Sequence, residues 1–325
     1  MHILITGGAG FLGQRLAHRL LEKPDIQRLT LADVVAPPAL LDHPKVDIAQ
    51  VDLTDPQAVA ALMPNDVSAI YHLAAVVSGQ AEANFDLGMR VNIDGTRYLL
   101  EAVRQQSPGA QFIFASSLAV FGGSLPNVIT EQTITTPQSS YGTQKAISEL
   151  LVNDYTRKGY VDGRVLRLPT VCVRPGKPNA AASSFVSGII REPLQGETAI
   201  CPVDESLPIW LASPSTTVAN LAHALTIQAE QFDADQSRTA NRTVNRTVNL
   251  PGLTVTIAEM IQSLAHVAGE MTVERIQKQP DAAISNIVAS WPSQFDVRLA
   301  RSLGFAQDDS FEEIIRAFIN EDLSA

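Results

Sequence analysis

The stretch HILITGGAGFLGQRLAHRL at residues 2 to 20 constrains the fold of this chain more than any other. Its first apolar run reads as a buried strand, and LGQRLAHRLLEK behind it carries apolar residues at helical spacing. Only a few residues separate the two, so the chain must turn sharply, and Gly7, Gly10 and Gly13 supply positions without a Cβ. A helix starting at such a turn presents free N–H groups to an anion, here a diphosphate approaching bare backbone. The same letters satisfy Gly8-x-Gly10-x-x-Gly13, a weak pattern alone and a strong one between a strand and a helix. The rival reading is a glycine-rich turn with no ligand. Phe11 and Leu12, between the last two glycines, join Gly7, Gly10 and Gly13 as candidate cofactor contacts.

Past Gly13, LTLADVV closes a second apolar run on Asp33, placed to accept hydrogen bonds from an adenosine ribose diol. No Arg or Lys follows it directly, and a 2′-phosphate would meet a like charge, so NAD is expected rather than NADP. VDLTD supplies Asp52 and Leu53 at another strand end, where Asp52 could reach the adenine amino group or simply cap a helix.

Further along, RLTLADV, AIYHLAA and QFIFASS alternate with amphipathic segments such as DGTRYLLEAVRQQ. Short continuous apolar strands alternating with helices predict an α/β fold, a doubly wound parallel sheet of Rossmann type covered on both faces. The alternation lapses near Arg174, where RPGKPNAAASSF and REPLQGETAICPVDESLPIW read as turns and short strands, and resumes with a helix near 215 to 231 and the strand RTVNLPG. The expected division is a cofactor-binding domain at 1–170 plus about 214–252, with a smaller substrate-binding region at about 171–213 plus 253–325.

Composition narrows the function. With 325 residues and 45% apolar content the chain can bury a sizeable core, and a net charge of −10 argues against nucleic-acid binding. Cys172 and Cys201 form neither a disulfide framework nor a metal pair and are expected as buried packing residues. The six histidines show no metal spacing, and His72 reads as a satisfied core residue. No run approaches the ~20 apolar residues of a membrane span, and no basic-then-apolar leader opens the sequence, so a cytoplasmic protein without membrane partners is expected. NRTVNRTV at 241 to 248 reads as a short duplication in a loop leading into a strand.

The chemistry centres on two places. FIFASSLAVFGG ends a buried strand in Ser116 and Ser117, at the sheet edge where open α/β folds bind ligands. SSYGTQKAISELLVNDYTRKG reads as a helix that carries Tyr141 and Lys145 one turn apart on one face. A phenol, with a pKa of about 10, is a poor base at neutral pH, and an adjacent ammonium favours its ionised form. With a serine hydroxyl to hold the substrate oxygen, this set can take a proton from an alcohol whose carbon gives hydride to a nicotinamide.

These motifs, with HLAA at 72 to 75, Asn92 in VNIDGT, SSLAVFG and the Tyr141–Lys145 spacing, resemble the extended short-chain dehydrogenase/reductase family over nearly the whole chain. The resemblance implies Tyr141 as acid/base, Lys145 as its pKa-lowering and ribose-binding partner, and Ser117 as the substrate-orienting hydroxyl. It also implies that Asn92 supports the lysine through water, that Leu73, Ala74 and Ala75 line the cofactor, and that Pro169, Thr170 and Val171 flank the nicotinamide. Phe121 stands where sugar-nucleotide epimerases of this family commonly have tyrosine, which weakens that reading. AAVVSGQAEANFDLGMRVNIDGTR, VRPGKPNAAASSF and IVASWP resemble a branch that oxidises the C2 hydroxyl of a four-carbon sugar acid, D-erythronate.

A small hydroxy acid needs an arginine for its carboxylate and small polar groups for its hydroxyls. Arg174 is the first candidate for the carboxylate and Arg191 the second, with Ser78, Asn179 and Ser183 nearby; for the arginines the rival reading is structural salt bridges. The expected activity is therefore NAD-dependent oxidation of a short sugar acid. The alternatives are a sugar-nucleotide epimerase, a uronate dehydrogenase, or a non-catalytic dinucleotide sensor. Ile147, Leu150, Leu151, Val152 and Tyr155 spread apolar surface around the Tyr141 helix, from which a homodimer is expected.

Overall fold

A computed structural model describes residues 1–36, 43–178, 180–233 and 245–323. Its main layer is a seven-stranded parallel sheet: β1 (His2–Thr6), β2 (Arg28–Asp33), β3 (Val46–Gln50), β4 (Val67–His72), β5 (Gln111–Ser117), β6 (Asp162–Leu168) and, later in the chain, Thr247–Asn249. From one edge the order is β3-β2-β1-β4-β5-β6 and then Thr247–Asn249, so the winding reverses between β1 and β4. Ligands of open α/β sheets bind beside the carboxyl ends at such a reversal.

The strands read as unbroken apolar runs because both faces are covered. Along β1, Ile3 and Ile5 enter one core while Leu4 enters the core on the opposite face. Ile113 in β5 joins the first of these, and Phe112 and Phe114 join the second. Each such side chain, taken fully out of water, contributes about 1.5–3 kcal/mol. The doubly wound parallel sheet expected from the sequence is therefore present.

A smaller body rests on β7 (Thr170–Val171), β8 (Ala199–Cys201), β9 (Pro208–Ala212), then β10 for Thr247–Asn249 of the main sheet, β11 (Leu253–Thr256) and β12 (Ile276–Lys278). Strands β11, β9 and β7 form one sheet and β12 with β8 another. A third core joins these sheets to the helices Ser184–Leu194, Ile257–Ala268 and Phe311–Phe318. Residues 297–305, grouped by the sequence with the second region, instead contribute Ala300, Leu303 and Phe305 to a core of the main sheet. Of the expected duplication at 241–248, residues 241–244 lie outside the described residues, and 247 and 248 belong to β10.

The helix Ser140–Arg157 begins where the Ser139 hydroxyl accepts the Gly142 N–H at 3.2 Å, and the chain leaves it through Gly159 at φ +72°. The face packed on β5 and β6 buries Lys145, Ser148 and Glu149 along with Val152. Of the residues expected to offer a dimer surface, Val152 is fully buried, while Leu151 and Tyr155 pack against the chain's own core. Leu150, 70% exposed, is the strongly exposed one among them. Both cysteines are free and buried, as expected.

Candidate active site

The carboxyl ends of β1, β4, β5 and β6 open into one groove with two lobes. The first, of about 290 Å³, holds Gly13, Phe11, Leu12, Ser117, Tyr141, Lys145 and the run Pro169–Thr170–Val171. The second, of about 480 Å³, holds Asp33, Asp52, Leu53 and Ala74. Gly7, Gly10, Leu73 and Ala75 line both, so an elongated ligand can lie across the reversal between β1 and β4.

Backbone geometry shapes the glycine turn. Gly7 has φ +76°, and a Cβ there would lie 2.8 Å from the Ala74 nitrogen, which is how the HLAA segment comes to touch the turn. A Cβ on Gly13 would lie 2.2 Å from the Gly7 carbonyl oxygen. Gly10 occupies the N-cap of the helix Phe11–Leu21 without a side-chain cap, which leaves its first N–H groups facing the groove. Asp33 accepts the Ala9 N–H at 3.0 Å, tying the turn to the end of β2. Asp52 accepts the Thr54 N–H at 2.9 Å through one oxygen.

Ser117 ends β5, and its oxygen accepts the Ala119 N–H at 3.1 Å, which leaves its hydrogen free to donate. Burial pushes the Tyr141 phenol up to about 12, and a hydrogen bond with Ser117 acts in the opposite direction. Lys145 donates to the Ala115 carbonyl at 2.8 Å and lies 4.6 Å from the Phe114 ring and 5.7 Å from the Tyr141 ring. Burial lowers its pKa to about 7, opposed by the charge of Glu149. The predicted convergence of phenol and ammonium is thus present. The group that draws the phenol down is Ser117 rather than Lys145.

Asn92 is spent on direct contacts beside the groove. Its side chain accepts the Val76 N–H at 2.8 Å and donates to the Val76 carbonyl at 3.0 Å and to Gln144 at 2.7 Å. Its carbonyl accepts from Ser148 at 3.0 Å. The amide therefore brackets the loop after β4 against the Tyr141 helix and is not among the groove residues. His72, bonded to Thr6 at 2.7 Å and to Thr96 at 2.9 Å, is pushed by burial down to about 3 and stays neutral, the satisfied core residue expected. Among the described residues no group of His, Cys, Asp and Glu could hold a metal ion.

Ser78, Arg174 and Ser183 all line the first lobe with Tyr141. Ser78 accepts the Ala182 N–H at 3.0 Å, leaving its own hydrogen to donate. No carboxylate among the described residues pairs with Arg174. Arg191 is a correction: only 1% exposed, it donates to the Arg174 carbonyl at 2.8 Å and to Glu192 at 2.6 Å, so it braces Arg174 from behind. Asn179 lies outside the described residues. Sequence reasoning quoted Trp291 only within IVASWP and gave it no place in this lobe, since it follows the helix Ala282–Ala289 far along the chain. Arg90 and Gln80 in the second lobe also went unrecognised, since both look like ordinary helix surface.

Comparison with known proteins places this geometry. The chain is 52% identical to D-erythronate dehydrogenase of Cupriavidus necator over 99% of its own length and 98% of that protein. It is 50% identical to D-erythronate dehydrogenase of Haemophilus influenzae, covering 99% of this chain and 100% of the relative. The crystal structure of a nucleoside-diphosphate-sugar epimerase from Agrobacterium tumefaciens matches with a TM-score of 0.90 and 43% identity, over 100% of this chain and 95% of the other. L-threonine 3-dehydrogenase of Trypanosoma brucei, at 24% identity and a TM-score of 0.86, covers 98% of this chain and 96% of its own and shares the fold. A groove built of glycine turn, acidic strand end and Ser-Tyr-Lys set thus meets a family match over residues 3–241, and the chain belongs to the NAD dependent epimerase/dehydratase family.

Proposed function

We propose that this chain oxidises the C2 hydroxyl of D-erythronate to a 2-oxo acid with NAD. The observation that carries the reading is the Arg174 guanidinium, which pairs with no carboxylate among the described residues, in the same lobe as Tyr141, Lys145 and Ser117. It fits a small substrate with a carboxylate a few ångströms from the reacting carbon. The roughly 50% identity to two D-erythronate dehydrogenases, each matched over nearly its full length, supports the same substrate.

The Ser117 hydroxyl donates to the C2 oxygen, and Tyr141 accepts the proton of the C2 hydroxyl. Lys145, held by the Ala115 carbonyl, stabilises the phenolate with its positive charge and reaches toward the ribose side of the groove. Arg174 holds the carboxylate, and Ser78 and Ser183 offer hydroxyls to the remaining oxygens. Trp291 limits the length of the substrate by walling the lobe. Gly7, Gly10 and Gly13 admit the diphosphate, Asp33 and Asp52 receive the adenosine, and Leu73, Ala75, Pro169, Thr170 and Val171 hold the nicotinamide in place. Bound NAD supplies the hydride acceptor. Asn92 serves this set as a positioning residue.

The division into a cofactor part, 1–170 with about 214–252 and the residues 297–305 that pack on the main sheet, and a substrate part from the remainder follows from the same assignment. A homodimer through the Tyr141 helix draws on Leu150 alone as strongly exposed apolar surface. Light scattering that returns a monomer at micromolar concentration would remove it. Free, buried thiols and an NAD site suit a cytoplasmic enzyme.

The name of the Agrobacterium structure favours nucleotide-sugar epimerisation as the second reading. The lobe of about 290 Å³ must hold both nicotinamide and substrate, which suits a four-carbon acid better than a sugar nucleotide. Uronate dehydrogenation shares this chemistry and is separated by substrate length. The experiment is NADH formation, followed by absorbance, with C4 to C6 aldonates, uronates and L-threonine, repeated with NADP. Turnover of D-erythronate with NAD is expected; silence toward every acid in that set would overturn the proposal.

A further inference from the structure

From Lys145 on the wall of the first lobe a row of buried charge runs back behind the groove: Lys145, Glu149 and Arg167 are 3%, 4% and 6% exposed. Glu149 follows Lys145 by one helical turn. Arg167, at the end of β6, grips the Glu149 carboxylate through both oxygens, at 2.9 and 2.7 Å. The Ser116 hydroxyl donates to the same carboxylate at 2.5 Å. The Arg167 guanidinium rests 4.7 Å from the Phe121 ring. A buried ion pair is a poor source of stability, because the desolvation of both charges offsets their attraction, and an apolar pair of similar size often serves as well. Something other than stability should explain its presence one turn from the lysine and one residue from Ser117.

We propose that Glu149 is a positioning residue for proton transfer: fixed by Arg167, its carboxylate is the counter-charge that keeps the Lys145 ammonium in a desolvated site, and through Ser116 it anchors the strand end that presents Ser117. This rests on the assignment of Tyr141 and Lys145 as the proton-transfer pair. Two bonds from Arg167 fix the orientation of the carboxylate, one helical turn from Lys145, whose ammonium its charge favours. The other groups about Lys145 are Tyr141 on its own helix, the Ala115 carbonyl and Phe114 ring from β5, and neutral His72 from β4, with Arg174 across the lobe. None of these carries a negative charge while Tyr141 is protonated.

The reactive form pairs phenolate with ammonium. Below the lysine pKa, kcat/KM for oxidation rises with pH as phenolate forms; above it, each unit that adds phenolate also removes ammonium, and the profile flattens. Loss of the counter-charge lowers the lysine pKa. The bend should then move to lower pH and the plateau should fall by a matching factor, tenfold per pH unit.

The test is the pH profile of kcat/KM for D-erythronate at saturating NAD. Glu149→Gln is expected to move the bend down by about one unit and lower the plateau about tenfold. Glu149→Asp should restore most of both. Should Glu149→Gln misfold because Arg167 is left without its carboxylate, the double variant Glu149→Gln/Arg167→Gln removes both charges and should show a bend moved in the same direction by less, since loss of the Arg167 charge acts the opposite way. Ser116→Ala, which keeps the charge, should lower the rate without moving the bend. A wild-type bend in Glu149→Gln or the double variant, whether at full rate or uniformly slowed, would overturn the proposal. Tyr141→Phe measured beside them keeps the two assignments separate: an active Tyr141→Phe variant would refute the proton-transfer pair itself.

Discussion

The sides of the groove proposed for cofactor and for substrate are built by opposite means. The cofactor side is shaped mainly by backbone: Gly7 and Gly13 sit where any Cβ would collide with neighbouring main-chain atoms, and the helix Phe11–Leu21 offers bare N–H groups. The substrate side is shaped by side chains drawn from separate segments, Ser78 after β4, Arg174 and Ser183 after β7, and Trp291 near the end of the chain. Ser117, Tyr141 and Lys145 stand where the two meet. Backbone construction accepts one cofactor and tolerates little change. Side-chain construction can be altered without disturbing the sheet, so it is where substrates can diverge on a shared fold.

Substitutions can break or sharpen this contrast. Tyr141→Phe, at the junction, should lower turnover about a hundred- to ten-thousand-fold while NAD binding, read by quenching of protein fluorescence, stays near wild type. On the substrate side, Arg174→Ala removes charge-assisted hydrogen bonds of about 1.5–3 kcal/mol. kcat/KM for D-erythronate should drop about ten- to a hundredfold with NAD affinity unchanged, and a parallel loss of NAD affinity would show that the two sides are not separable. Gly13→Ala should do the reverse: strain of about 1–3 kcal/mol against the Gly7 carbonyl should weaken NAD binding about tenfold or more by titration. Trp291→Phe should have the smallest effect, a few-fold change confined to the ratio of rates on four- and five-carbon acids, measured in competition.

Legibility in the sequence followed the same divide. The glycine turn and the strand ends at Asp33 and Ser117 could be read because backbone demands fix residue types at short spacing. Tyr141 and Lys145 were legible because one helical turn separates them. The partners of Asn92 and Arg191 were not: both are polar residues near the right segments, yet one amide bonds Val76 and Gln144, and one guanidinium Glu192 and the Arg174 carbonyl. Which hydrogen bonds a side chain makes depends on long-range packing that no local pattern records. The exposure of the apolar residues on the Tyr141 helix was hidden for a similar reason, since that helix buries polar Ser148 and Glu149 and packs Leu151, Val152 and Tyr155 on the chain's own core. Trp291 lies 150 positions beyond Tyr141 and becomes a neighbour only through folding.

The passage from β6 to β7 has a mechanical consequence. Leu168 ends a strand of the main sheet, Pro169 turns, and Thr170 begins a strand of the smaller one, so one short segment is shared by both bodies. The chain crosses between the two bodies again from Ala212 to Pro214 and from Asn249 to Leu253, and of these crossings the one at Pro169 itself lines the groove. Any relative motion of the two bodies is therefore tethered at the groove's own wall, beside Ser117 and Tyr141.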